Sequence, residues 1–364
     1  MHLVDRSIRI ILDHQSHTGA FPASPTFTHY RYCWLRDGAF IAYSMDLKGH
    51  HDRSRAFYKW CHRTIERYRG KAESLLAMRL GSEEPSSDSW LHTRFTLQGI
   101  ESTEPWGNHQ LDGYGTYLWG VAQHTKKTDI STLVKISSSL VLVLDYLHAF
   151  WKVPCYDCWE EFENDIHPST LAAIYGGVQA ICPLLKQAGI ISTGDEAHYL
   201  QWLREIKEFV FQFYITDGHF VKKNGTNQLD ANLLFLAIPY RLISPHYPVM
   251  KKTIAKIEKS LVCNGGVHRY LTDSYYGGGE WILLSAWLGW YYADIGECNR
   301  AHELLTWIES YSTDGNLPEQ ILHHVFYPEK LENWIQNWGE IASPLLWSHA
   351  MYLILHDKLK SPNS

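Results

Sequence analysis

The chain has 364 residues, 45% of them hydrophobic and 20% charged, with a net charge of -6 at neutral pH. That balance describes an ordinary globular chain, long enough for one large domain or two smaller ones; with no basic run it offers nothing to nucleic acid or an anionic membrane. Fifteen Trp and 22 Tyr are an excess that fits either a very large core or a site stacking the flat faces of sugars.

The opening stretch, Met1 to Leu12, carries charges within its apolar run and has no small-residue cleavage site. Neither a secretory signal nor a membrane span is expected, which points to a cytoplasmic protein. The seven cysteines are an odd number spread along the chain, as reduced thiols would be. Cys155 and Cys158 form one CxxC with no second pair, which is weak ground for zinc.

In chain order, helical periodicity predicts two alternating kinds of segment. Amphipathic, charged segments are expected at about 3–14, 52–69, 131–150, 195–213, 248–261 and 298–311. In the fourth, Tyr199, Leu203, Ile206, Val210 and Phe213 make the apolar stripe, and Thr193 with Glu196 reads as a capping box. Between them lie segments apolar on nearly all sides, at about 37–47, 112–124, 168–187, 230–240, 280–295 and 344–357. The last has Ser343 and Pro344 in N-cap and first-turn positions. A helix that is apolar all round must be buried all round. Six wet helices alternating with six buried ones predict an all-α (α/α)6 toroid, a single domain spanning 1–364.

The connections leading into buried segments are long, at 15–36, 70–111, 151–167, 214–229, 262–279 and 312–343, and the reverse connections, such as Gly49-His50, are mostly short. This alternation argues against a tetratricopeptide array and gathers the long loops on one face to form a pocket. The strand-like fragments Thr93–Leu97 and His219–Val221 are expected as hairpin decorations of those loops.

The loops carry the chemistry. In Trp159-Glu160-Glu161 a tryptophan beside paired carboxylates can hold one carboxyl group in an apolar environment and make it a proton donor; an acidic loop end ahead of a helix is the simpler alternative. Arg36-Asp37 can address vicinal hydroxyls together, or Asp37 can cap the helix that follows. Trp106, among glycines in Pro105-Trp106-Gly107, can face a pyranose or fill the core. Further clusters are His268-Arg269-Tyr270 through Glu280-Trp281, Leu317-Pro318-Glu319-Gln320, and Trp338-Gly339-Glu340. Together they supply stacking faces, bidentate hydroxyl contacts and separated carboxyls.

The ordered series YRYCWLRDGA, WGNHQLDGYG, CWEEF, RYLTDSYYGGGEW, LPEQ and SPLLWSHA, spread over residues 15 to 350, resembles glycoside hydrolase family fifteen, the inverting glucoamylases and glucodextranases with an (α/α)6 catalytic domain. The resemblance implies Glu160 as general acid, Glu319 as general base and Tyr30 beside the attacking water. It implies Arg36, Asp37 and Arg269 on the terminal glucose, Trp106 and Trp159 among the substrate contacts, and Glu161 on the leaving-group side. Glu340 is a second candidate base. Such a pair stands roughly 6.5 to 9.5 Å apart, leaving room for water, and requires no metal or organic cofactor.

Neither the amino-terminal β-sandwich nor the starch-binding module that many members carry is expected from these 364 residues. The expected substrate is therefore a small oligosaccharide, with α-1,6-linked isomaltose favoured over α-1,4 or trehalose-type linkages. A sugar epimerase or isomerase on an α-toroid, using His pairs, and a catalytically silent sugar-binding protein are the rival classes.

Overall fold

The computed structural model describes residues 2–81, 85–86 and 89–360. Positions 82–84 and 87–88 of the expected 70–111 loop, and the ends of the expected 1–364 domain, lie outside the described residues. The chain forms two compact units, each built from discontinuous segments. The first comprises Met1–His14, Pro22–Arg31 and Phe213–Ser364; the second comprises Gln15–Phe21 and Tyr32–Gln212.

The described residues are predominantly helical. After α1 (Leu3–His14) in the first unit, the second unit holds α2 (Leu35–Leu47), α3 (His51–Arg67), α4 (Arg69–Leu80), α5 (Asp112–Lys127), α6 (Ser131–Lys135), α7 (Ser137–Phe150), α8 (Pro168–Gln187) and α9 (Thr193–Phe213). The first unit resumes with α10 (Pro248–Leu261), α11 (Ile282–Asp294), α12 (Cys298–Ser310), α13 (Pro328–Trp338) and α14 (Leu346–Lys360).

The predicted contrast between wet and dry helices holds. In α2 every residue from Leu35 to Asp46 is buried, and α11 is buried from Ile282 to Ala293. In α3 and α10 only one stripe is buried. Helix α8 is long and apolar enough to cross a membrane, yet 78% of its apolar window is buried inside the protein. It packs on α5 at unusually short range. A Cβ placed on Gly177 would lie 2.2 Å from the Gly115 carbonyl oxygen, so only glycine permits the contact.

Four local expectations change. The 230–240 segment is a 3-10 helix, Ala231–Leu236, in place of an α-helix. Pro239, with no N–H to give to a preceding turn, stops it from lengthening. Helices α4 and α13 form inside stretches expected as loops. The capping box of α9 sits one residue earlier than expected: Ser192 and Asp195 exchange bonds, Asp195 N to Ser192 Oγ at 3.1 Å and Ser192 N to Asp195 Oδ2 at 2.8 Å. Helix α14 starts at Leu346, two residues beyond Pro344.

Short strands fix the loops. In the second unit β1 (Cys33–Trp34) pairs antiparallel with β2 (Arg94–Phe95), and Phe95 also bridges Glu101 antiparallel across a tight turn at 96–100, so the first fragment is the expected hairpin and also joins a distant strand. In the first unit β3 (Ile215–Thr216) and β4 (His219–Phe220) form the expected hairpin, with Asp217 and Gly218 both at positive φ in its tight turn. A four-stranded sheet follows in the order β5 (Val262–Cys263), β6 (Gly266–Val267), β7 (Glu280–Trp281) and β8 (Gln320–Ile321).

Candidate active site

The catalytic candidates fall into two clusters, one in each unit. In the second unit Glu160 occupies a turn knotted by Asp157. The Asp157 Oδ1 accepts from the backbone N–H of Trp159 (2.9 Å) and of Glu161 (3.1 Å), while Glu160 N–H donates to Asp157 O (3.0 Å) and Asp157 N–H to Glu161 O (2.9 Å). This clamp holds Glu160 at φ 68° and Phe162 at φ 59°. Non-glycine residues adopt that left-handed conformation rarely, and it recurs where a side chain must be aimed.

The surroundings of Glu160 correct the expectation of an apolar environment. Its carboxylate accepts from the indole N–H of Trp34, the indole N–H of Trp106 and the Gln110 amide, the last at 2.8 Å. The tryptophans thus turn their polar edges to the acid. Trp106 also gives a ring face to the Arg94 guanidinium, 4.1 Å from the ring centre, and meets Trp34 edge-on at 6.1 Å. Trp159 is buried, and Glu161 is half-buried.

Arg36 and Asp37 lie together in the first turn of α2, both buried. Asp37 does not cap that helix; Trp34 occupies the N-cap and makes no side-chain cap bond. The stronger partner of Arg36 is Asp112 at the start of α5, with Nη1 to Oδ2 at 2.9 Å, and the same Nη1 reaches Gln110 Oε1 at 2.9 Å. The Asp37 contact is longer, at 3.6 Å. Burial opposes the charge of Arg36, but Asp112 and then Asp37 outweigh it and hold the guanidinium protonated. Burial pushes the Asp37 carboxyl up to about 7, with Arg36 opposing and Glu160 adding to the rise.

In the first unit Glu319 stands immediately ahead of β8. Its backbone N–H donates to Ala342 O (2.9 Å), and the Pro318 carbonyl accepts from Ser348 Oγ (2.8 Å), so the LPEQ segment is fixed from the far end of its own loop and from the first turn of α14. Its side chain is buried, and Tyr30 OH donates to Glu319 Oε1 at 3.0 Å. The Tyr275 hydroxyl lies 2.7 Å from that of Tyr30, completing a chain of two phenols on the carboxylate. Burial, and next the neighbouring Glu319, drive the Tyr275 phenol far above its ordinary range, so it stays protonated. Glu340, the second candidate base, is exposed.

Arg269 is buried and grips Asp273 with two bonds, Nε to Oδ2 at 2.7 Å and Nη2 to Oδ1 at 2.5 Å. The indole ring of Trp281 and the phenol ring of Tyr275 lie 5.1 and 5.3 Å from its guanidinium carbon. A fork held this firmly presents its remaining edge in a fixed direction, as hydroxyl recognition requires.

The structure thus puts the Trp106 indole N–H on Glu160 and a face of its ring on Arg94, and puts the Tyr30 hydroxyl on Glu319. It adds Asp157, Gln110 and Trp34 around the acid, Tyr275 behind Tyr30, and Asp273 and Asp112 as anchors of the two arginines. Asp157 was detectable in the D-x-x-E spacing of a turn; the long-range partners carry no local signal. Two buried histidines serve structure. His124 pairs with Asp46 (2.9 Å); His349 accepts from Leu317 N–H (3.0 Å), and burial lowers its pKa to about 3. Neither forms the His pair on which the epimerase reading depends.

The sequence profile of the glycosyl hydrolases family 15 matches residues 2–322. The chain is 41% identical to an isomaltose glucohydrolase of Kribbella flavida, over 98% of this chain and 92% of that protein. Among solved structures, a glycosidase variant in complex with glucose superposes with a TM-score of 0.94 at 41% identity, covering 98% of this chain and 96% of the other. The glucoamylase of Hormoconis resinae superposes with a TM-score of 0.76 at 16% identity, covering 99% and 73%. The second likeness is one of fold, and it fits the predicted (α/α)6 class.

Proposed function

Because the chain belongs to glycosyl hydrolase family 15, we propose that it is an exo-acting, inverting α-glucoside hydrolase whose substrates are isomaltose and short α-1,6-linked oligosaccharides. The likeness to an isomaltose glucohydrolase along nearly the whole length of both chains carries the substrate. The hydroxyl chain on buried Glu319 supports the mechanism.

In this reading Glu160 is the acid. It gives its proton to the glycosidic oxygen as the bond to the anomeric carbon breaks, and the aglycone leaves as an alcohol. Glu319 is the base. It takes a proton from water attacking the opposite face of the ring, and Tyr30 orients that water together with the carboxylate. Attack from the far side inverts the anomeric centre, so an α-linked glucose leaves as β-glucose. Arg36 with Asp37, and Arg269, hold the glucose hydroxyls. Trp106 and Trp159 contribute to the substrate contacts, and Glu161 lies toward the leaving group.

A cytoplasmic location belongs to the same proposal. It is supported by seven cysteines, none in a disulfide and five of them buried.

The test is a proton NMR time course on isomaltose, with initial rates on maltose and trehalose alongside. β-Glucose appearing first, and isomaltose turned over fastest, are the expected results. Initial α-glucose contradicts inversion, a faster rate on maltose or trehalose overturns the linkage, and unchanged disaccharide in all three removes the hydrolase reading.

A further inference from the structure

We propose that Cys263, Glu280 and His324 form a binding site for a borderline-soft divalent cation of the Zn2+ class, separate from the catalytic carboxylates. One ligating atom from each residue lies within 4.8 Å of the other two. Around Zn2+, with bonds of about 2.0 to 2.3 Å, tetrahedral ligand atoms stand roughly 3.5 Å apart. Closing the cluster onto an ion therefore requires side-chain adjustments of about 1 Å, within reach of small rotations.

The small sheet assembles the cluster. Cys263 ends β5 and pairs with Gly266 of β6; β6 pairs with β7, which Glu280 begins; Glu280 pairs with Ile321 of β8, three residues before His324. The intervening strand presents glycine where the carboxylate passes. A Cβ on Gly266 would lie 2.6 Å from Glu280 Cγ and 2.7 Å from its Cδ. With any larger residue the Glu280 side chain could not lie across β6 toward Cys263.

Glu280 itself asks for a cation. Its side chain is 1% exposed, its Oε1 bonds His324 Nδ1 at 2.7 Å, and its buried Oε2 has no hydrogen-bond partner. A carboxylate oxygen withdrawn from water without a partner is costly, and a bound metal ion removes that cost. The donor set decides the class: thiolate and imidazole select Zn2+ and its neighbours over Mg2+ or Ca2+, which take oxygen shells. Cys263 is half-exposed and the His324 side chain 44% exposed, so an ion reaches the site from solvent, and the fourth position is left to water. Binding replaces the thiol proton of Cys263, which leaves to solvent, and the His324 to Glu280 hydrogen bond.

The experiment uses tag-free full-length protein and Co2+ as the optical probe, with Zn2+ as competitor and calorimetry for stoichiometry. One equivalent of Co2+ is expected to give a thiolate-to-cobalt charge-transfer band that Zn2+ abolishes. Cys263→Ser should remove the band. His324→Ala and Gly266→Ala should each weaken Zn2+ binding at least about tenfold, while Cys298→Ser, a half-exposed cysteine elsewhere, should leave binding unchanged. Cys263 and His324 are surface positions, and circular dichroism checks that their variants fold. A band that survives Cys263→Ser, a His324→Ala variant that binds Zn2+ like the parent, or no stoichiometric uptake by the parent would overturn the assignment, leaving a hydrogen-bonded carboxylate beside a cysteine.

Discussion

Replacing Asp157 with alanine should separate the turn that aims Glu160 from the chemistry of Glu160 itself. The substitution removes the acceptor of two backbone N–H groups, at 2.9 and 3.1 Å. Hydrogen bonds to a charged group contribute about 1.5 to 3 kcal/mol each, so the loss is roughly 3 to 6 kcal/mol. At about 2 °C per kcal/mol for a chain of this size, Tm should fall by about 6 to 12 °C. Holding Glu160 at φ 68° itself costs on the order of 1 to 3 kcal/mol, so the released turn relaxes and the acid moves off line. General-acid assistance is worth about 10²- to 10⁴-fold, and a misplaced acid should forfeit part of it, lowering kcat on isomaltose about 10- to 100-fold. Asp157→Asn keeps the accepting oxygen and gives up only its charge, trading two charged hydrogen bonds for two neutral ones of about 0.5 to 1.5 kcal/mol each, so kcat should stay within about threefold and Tm should fall by only about 4 to 6 °C. Calorimetry and saturating-substrate kinetics on the two variants decide the matter. Wild-type kcat in Asp157→Ala, or equal damage from both substitutions, refutes the argument that the accepting oxygen holds the turn.

Other outcomes follow from the same contacts. Glu319→Gln should lower kcat at least about a hundredfold, whereas Glu340→Gln, at an exposed position, should change it less than about twofold; the reverse order would move the base to Glu340. Asp37 titrates at about 7 in the folded chain against an ordinary value of 3.8, so the folded state holds this proton more tightly than the unfolded one. Its contribution to stability is complete below pH 3.8 and is lost as pH rises through about 7, a change of roughly 4 kcal/mol at about 1.4 kcal/mol per pH unit. The Tm of Asp37→Asn relative to the parent should therefore climb between pH 4 and 8, and a flat difference would show that Asp37 is not buried as described. Gly177→Ala forces a Cβ to within 2.2 Å of the Gly115 carbonyl and should cost about 2 to 3 kcal/mol by separating α5 from α8; an unchanged melting curve would contradict that close approach.

Most helices are legible in the sequence because burial leaves a periodic trace. A segment such as 282–293, buried at every position, has to be apolar at every position, and α3 or α10 shows its one dry face as a stripe. The misreadings arise where a local rule meets a competitor. Pro239 shortens a segment whose composition reads as helix, and Ser192 takes the cap assigned to Thr193 because its partner is the aspartate three residues on. At the site the motif residues were recognisable and the family resemblance implied their roles, but the surroundings of Glu160 were read from residue type alone. Tryptophan beside a carboxylate suggested an apolar wall, yet an indole has an N–H edge as well as faces. Trp34 and Trp106 present that edge to Glu160.

What the sequence determined by itself is the all-α class, the alternation of wet and buried helices, the family, and Glu160 and Glu319 as the two candidate carboxylates. These are properties of pattern and order along the chain. The tertiary structure alone decided which groups surround each functional atom: Gln110 on Glu160, Asp112 on Arg36, Tyr275 behind Tyr30, and Cys263 brought to Glu280 across a glycine. Those partners are separated by between 17 and 245 residues or meet through strand register, and nothing in the local composition of either partner encodes the other. Hydrogen bonding acts over about 3 Å of space whatever the distance along the chain, so only the folded chain can specify it.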